Sequence, residues 1–131
     1  MNPIHEKLKQ GTFGEIYVQL RLLLYNVQAA PPIKDTGNDL IAIIGQSFRA
    51  IQVKTTKIFP VKISKAKLPN FYHVLAIVVL DQEIDPPQTI KIDKCALYLI
   101  KSDEVEYGTY SKTKLERFKI DENRITAIFN Y

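Results

Sequence analysis

"GNDLIAIIGQSFRAIQVKTT", residues 37–56, holds two apolar runs on either side of Gly45-Gln46. "DLIAII" and "SFRAIQVKTT" are rich in β-branched and aromatic residues, and "GQ" between them makes a tight antiparallel hairpin. Alternate strand residues share a face. Phe48, Ala50, Gln52 and Lys54 therefore point one way, and Arg49, Ile51, Val53 and Thr55 the other. A turn at Gly45-Gln46 carries Asp39 to the far end of its strand, beside Gln52 and Lys54. An amide, an ammonium and a carboxylate gathered in a segment otherwise fit for a core would be costly to bury without a purpose.

Upstream, "GTFGEIYVQLRLLLYNV" reads as a helix, with Thr12 as N-cap and Ala30-Pro31-Pro32 ending it. Phe13, Ile16, Leu20, Leu23, Leu24 and Val27 form one apolar face. Val18, Leu22 and Tyr25 are apolar on the opposite side, where Arg21 is the only charge. Such a helix is covered on both sides, by the rest of the chain or by a second subunit. "KDTGND" is a turn. Downstream, Pro60 breaks the chain before a short strand around Val61–Ile63, and Lys65–Tyr72 carries a weak helical pattern. "HVLAIVVL" is a strand buried on both faces. "DQEIDPPQ" is a loop, "TIKID" an edge strand, "CALYLI" a buried strand and "SDEVEYG" one helical turn. "RITAIFNY" closes the chain with strand-like alternation. A helix, a hairpin and buried strands predict an α/β or α+β mixed sheet with helices packed on it.

The 131 residues are expected to form one domain, 1–131, with ordinary hydrophobic (46%) and charged (24%) fractions. No basic leader precedes an apolar stretch, and no run approaches a membrane span, so a soluble cytoplasmic protein is expected. The single cysteine, Cys95, excludes an internal disulfide and a multi-cysteine zinc site, and reads as a small buried hydrophobe. His5 and His73 have no ligand partner at useful spacing. The net charge of +4 is modest, but it is unevenly spread. Between Gln46 and His73, Arg49, Lys54, Lys57, Lys62, Lys65 and Lys67 stand with no acidic residue. From Asp81 to Glu106 acids predominate. Arg49, Lys57, Lys62, Lys65 and Lys67 are thus candidates for contact with a polyanion, or a solvated lysine-rich surface. Tyr107 and Tyr110 lie near no basic cluster in sequence, so no base-stacking surface is read there.

Hard cations prefer oxygen ligands, which an Asp carboxylate and a Gln carbonyl oxygen can supply. A neighbouring lysine suits a phosphate or a water being deprotonated. Together these groups fit phosphodiester cleavage. Asp39 before an apolar strand, followed by Gln52-Val53-Lys54 on the next, resembles the PD-(D/E)XK nuclease superfamily. That group includes restriction enzymes, archaeal Holliday junction resolvases and homing endonucleases. Its motif is an Asp on one strand and (Glu/Asp)-x-Lys on its neighbour, often with a Glu on the preceding helix. Asp39 matches the Asp, Lys54 the lysine and Glu15 the helical glutamate, while Gln52 takes the second acidic position, as in members with Q-x-K.

The resemblance implies an α/β restriction endonuclease-like fold: a mixed central sheet flanked by helices, with a long N-terminal helix and then a hairpin. It implies Mg2+ or Mn2+ held by Asp39, Gln52 and Glu15, Lys54 acting on water or phosphate, and DNA as partner. The family core has a strand between helix and Asp, where "YNVQAAPPIK" is poor strand material because of its prolines. Each residue also has a plainer role: Glu15 in a capping box with Thr12, Asp39 bonding the turn at 36–38, Gln52 as a sheet-face amide, Lys54 extending from a strand end. Three functions follow: a metal-dependent endonuclease acting on DNA, a non-catalytic nucleic-acid-binding module, or an interaction subunit forming a homodimer through the first helix.

Overall fold

The computed structural model describes residues 5–33, 37–83 and 89–129. Helix α1 (Glu6–Leu23) leads into β1 (Gln28–Ala30), and β2 (Leu40–Ile44) and β3 (Ser47–Thr56) follow. Then come β4 (Val61–Ile63), β5 (Val74–Val79), β6 (Ala96–Lys101), β7 (Gly108–Tyr110), α2 (Lys112–Leu115) and α3 (Glu122–Phe129). The main sheet has five strands in the order β1-β2-β3-β5-β6. Only β3–β5 is parallel, so the sheet is mixed. A two-stranded sheet, β4–β7, lies apart.

The hairpin forms as the sequence indicates. Leu40 pairs with Ile51 and Ile44 with Ser47, and Gly45 takes the positive φ of 56° that the tight turn requires. The sheet's faces divide the core. Ile51, Val74, Ala76 and Val78 pack with Tyr17, Val18 and Leu22 of α1 and Ile125, Ile128 and Phe129 of α3. Leu75, Ile77 and Val79 meet Val61, Ile63, Tyr98, Tyr110, Leu115 and Phe118. With both faces covered, β5 is buried at every position, which explains its unbroken apolar sequence.

Several expectations are corrected. Helix α1 begins at Glu6, capped by the His5 imidazole accepting from the Lys7 amide at 3.3 Å, so Thr12 is a mid-helix residue and caps nothing. It ends at Leu23 rather than at the prolines, because Asn26 enters the left-handed region at φ 65° and the Val27 amide bonds back to Leu22 O. The two apolar sides of the helix are not covered equally by the chain. Val18 and Leu22 are fully buried, whereas Ile16, Leu20, Leu23 and Leu24 are 58, 46, 60 and 69% exposed. Gly14 decides this. A Cβ there would stand 1.8 Å from Thr55 Oγ1, so only glycine lets α1 lie this close to β3.

Gln28–Ala30 forms a strand despite the nearby prolines, because it is an edge strand and Pro31-Pro32 fall just after it. "TIKID" is not a strand: Ile92–Lys94 is a 3-10 turn. The Gln82 side chain occupies the Lys91 backbone instead, accepting from its amide at 2.9 Å and donating to its carbonyl at 3.0 Å. "RITAIFNY" is helical through Phe129, with Ile125, Ile128 and Phe129 inward and Asp121 Oδ1 accepting from the Arg124 amide at 2.6 Å. Ser102–Glu104 gives the expected single turn, and Lys65–Lys67 is only a 3-10 turn. Cys95 is partly exposed rather than buried. Of the expected loop at 81–88, residues 81–83 are in neither helix nor strand, and 84–88 lie outside the described residues.

Candidate active site

The site forms where β2 stops short of β3. Pairing between them begins at Leu40–Ile51, so β3 beyond Ile51 has no partner on β2. Asp39 fills the first place. Its amide donates to Ile51 O at 3.1 Å, and its Oδ2 accepts from the Val53 amide at 2.8 Å. The carboxylate thus substitutes for one rung of the ladder; the plainer reading, a bond to the turn at 36–38, involves Thr36, which lies outside the described residues.

The shortfall leaves a cavity of about 620 Å³ at the sheet edge, lined by Glu15, Asp39, Gln52, Thr55 and Lys57 among others. Glu15 comes from α1, Asp39 from the start of the hairpin, and Gln52 from β3. Burial, and then the charge of Asp39, push the Glu15 carboxyl above the usual carboxylate range. Gln52 Oε1 is buried without a hydrogen-bond partner, so Gln52 is not a satisfied sheet-face amide. Lys54 is not among the residues of this cavity. It lines a smaller cavity, of about 90 Å³, with Lys67, Leu68 and again Gln52. Burial, and then Lys67, hold its ammonium below the ordinary lysine range. Gln52 and its neighbour Val53 border both cavities.

The basic residues are dispersed. Lys57 borders the carboxylate cavity and Lys67 the lysine cavity, while Lys65 borders a third cavity with Phe71 and Tyr107. Lys62 is exposed on β4, paired with Thr109. Arg49 sits toward the hairpin turn, donating to Ile128 O at 3.3 Å and to Phe48 O at 2.9 Å. Lys7 and Gln10 join the wall of the carboxylate cavity. Sequence reading missed them because it started the helix too late; His5 as a cap was the available signal. Among the described residues, no group of three or more His, Cys, Asp or Glu is placed to hold a metal ion. Two carboxylates and an amide oxygen are the donors here.

A helix, an edge strand, a hairpin whose second strand carries Gln52-x-Lys54 beside Asp39, and a further strand parallel to it define the architecture. Neither a family model nor a curated protein sequence matches the chain. Solved structures do. Hjc, a Holliday junction resolvase from the archaeal hyperthermophile Archaeoglobus fulgidus, is similar with a TM-score of 0.56 at 16% identity, over 91% of this chain and 97% of that one. A bacterial homing endonuclease is similar with a TM-score of 0.53 at 14% identity, over 80% of this chain and 76% of that one. The chain has the restriction endonuclease-like, PD-(D/E)XK-type fold. The strand that "YNVQAAPPIK" was not expected to supply is β1, and Glu15 lies on α1. No helix among the described residues is long and apolar enough to cross a membrane.

Proposed function

We propose that the protein is a metal-dependent endonuclease that hydrolyses phosphodiester bonds in DNA. The observation carrying this reading is the convergence of Glu15, Asp39 and the unpartnered Gln52 Oε1 on one cavity, with Lys54 beside Gln52. Hard oxygen donors of this kind fit Mg2+ or Mn2+, and an orphaned buried amide oxygen is what a ligand position would leave. Asp39, Gln52 and Glu15 would hold the ion, which when bound supplies a Lewis acid at the phosphate and a more acidic water. The negative charge shared by Glu15 and Asp39 favours such a cation over a second proton. Lys54, whose pKa is lowered by burial and then by Lys67, is suited to orient or activate water or to steady the phosphate. Lys57 and Lys67, at the two cavities, draw the DNA backbone to the site, helped by Lys62, Lys65 and Arg49.

Calorimetry with magnesium or manganese, paired with nicking of supercoiled DNA, tests this. Asp39→Ala should lose both metal binding and turnover. Lys54→Ala should keep metal binding and lose most of the rate, about 10²-fold or more. Gln52→Glu should hold the ion at least as tightly as wild type. A wild-type chain that neither binds divalent metal nor cuts supercoiled, branched or single-stranded DNA would leave the non-catalytic binding module, recognised by DNA affinity that falls steeply with salt.

The exposed side of α1 supports a homodimer. Ile16, Leu20 and Leu23 fall on one stripe, with Leu24 and Leu8 at its flanks, all exposed. Pairing two such stripes would bury on the order of 1,000 Å² in total, the lower end of a specific interface.

A further inference from the structure

The cavity that Lys65 borders is not part of the hydrolytic constellation. It measures about 400 Å³ and is lined by Leu68, Phe71, Tyr72, His73 and Tyr107 as well. Phe71 is 65% exposed and Tyr107 55%, large aromatic surfaces left open to water. The Phe71 ring is held edge-on against His73, with centroids 4.9 Å apart and planes at 79°. His73 is fixed in turn, its Nδ1 accepting from the Ala50 amide at 2.8 Å. Among the described residues, no acidic side chain lines the cavity. Glu106, next to Tyr107, is engaged by Lys114 at 3.2 Å.

The cavity adjoins the proposed active site through two connections. Leu68 borders both it and the cavity of Gln52 and Lys54. Asn38, immediately before Asp39, donates from Nδ2 to Phe71 O at 3.0 Å, and Gly37 backs onto Pro69. The aromatic loop is therefore tied to the residue preceding the proposed metal ligand. Aromatic faces, positive charge and room for a planar ring are what a stacked nucleobase requires.

We propose that this cavity receives an unpaired base next to the phosphate being cut, stacking it on Phe71 and Tyr107 while Lys65 meets its backbone. A base paired within an uninterrupted duplex is already stacked and cannot enter. The protein's substrate is then DNA containing an unpaired nucleotide. This rests on the nuclease reading for its choice of DNA, but its test does not require cleavage.

Affinity is measured for wild-type protein, with divalent metal chelated, on a matched duplex and on one carrying a single-nucleotide bulge with 2-aminopurine at the bulge. Stacking one base on an aromatic ring changes affinity by roughly five- to 150-fold, so the bulged DNA should bind about tenfold tighter. The 2-aminopurine fluorescence should fall on binding. Phe71→Ala with Tyr107→Ala should remove the preference while leaving matched-duplex affinity within about twofold, and Phe71→Trp should retain it. If the double variant does not fold, Tyr107→Ala alone must still lower the preference at least about threefold. Equal binding of both DNAs by wild type, or a preference untouched by these substitutions, overturns the proposal. A preference without metal-dependent nicking would leave the cavity standing and remove the nuclease. Nicking with equal binding would do the reverse.

Discussion

Val53 keeps a partner for its amide because Asp39 supplies one, so a single carboxylate both closes a rung of the sheet and faces the proposed metal site. Asp39→Asn separates the two roles. The amide oxygen can still accept from Val53, so stability should change little, whereas a neutral ligand holds a divalent ion less tightly and turnover should fall. His73 is the other residue whose chemistry has a measurable consequence. Its Nδ1 accepts from the Ala50 amide, which only the neutral ring can do. Burial, and then the Arg49 charge, keep its pKa below the ordinary histidine value. The unfolded chain therefore binds a proton at a pH where the folded chain does not, and stability rises with pH through that window. The contribution is complete above about pH 6.5 and is lost as pH falls toward the depressed folded value. Thermal denaturation between about pH 5 and pH 7.5 should show Tm declining on the acid side. His73→Asn, which retains an acceptor but no titrating proton, should flatten the decline; an unchanged profile would assign it to other groups.

At the scale of elements, the approach of α1 to β3 positions Glu15, and Gly14 permits that approach. Alanine is the better helix former by about 1 kcal/mol. Yet its Cβ would overlap Thr55 Oγ1, an overpacking that costs about 1–3 kcal/mol. Gly14→Ala should lower Tm, and Thr55→Ala added to it should recover part of the loss; a stabilised single variant would mean that α1 moves freely on the sheet. The same contact shows what the sequence could and could not disclose. The hairpin, its turn and the neighbourhood of Asp39 and Gln52 were legible, because strand alternation and a Gly-containing turn fix register locally. The inward face of α1 was not. Both of its faces are apolar, and the choice depends on one glycine meeting a threonine on β3, distant in sequence. "RITAIFNY" misled for a related reason: Ile125, Ile128 and Phe129 have helical spacing, but the short run also fits alternation. "TIKID" alternates as a strand should, and fails only because the Gln82 amide claims the Lys91 backbone. The aromatic cavity was out of reach, since Lys65 and Tyr107 are brought together only by the packing of β4 on β7 and of the 68–71 loop beside Asn38.

For the whole molecule, the decisive feature is that α1 has its sheet-facing side filled and still presents Ile16, Leu20, Leu23 and Leu24 to water. Substituting Leu22 would only break the core, because it is fully buried. Leu20→Glu with Leu23→Glu is the informative change: both side chains are exposed, so the monomer's fold should survive, with Tm lowered only by the stabilisation that dimerisation supplied. Wild type should sediment as a dimer at about 10 µM and the variant as a monomer, since two buried leucines per copy are worth several kcal/mol of association when lost. A wild-type monomer at about 100 µM would remove the interface. In the proposed dimer, a two-fold axis relating the two α1 helices would make the two copies, and so their cavities, equivalent. One DNA molecule bound across both copies meets two sets of Asp39, Gln52 and Lys54. The dimer should then convert supercoiled DNA to linear by cutting both strands in one binding event. The Leu20→Glu, Leu23→Glu monomer retains each cavity whole but meets the DNA with one of them, so its product should stop at the nicked circle.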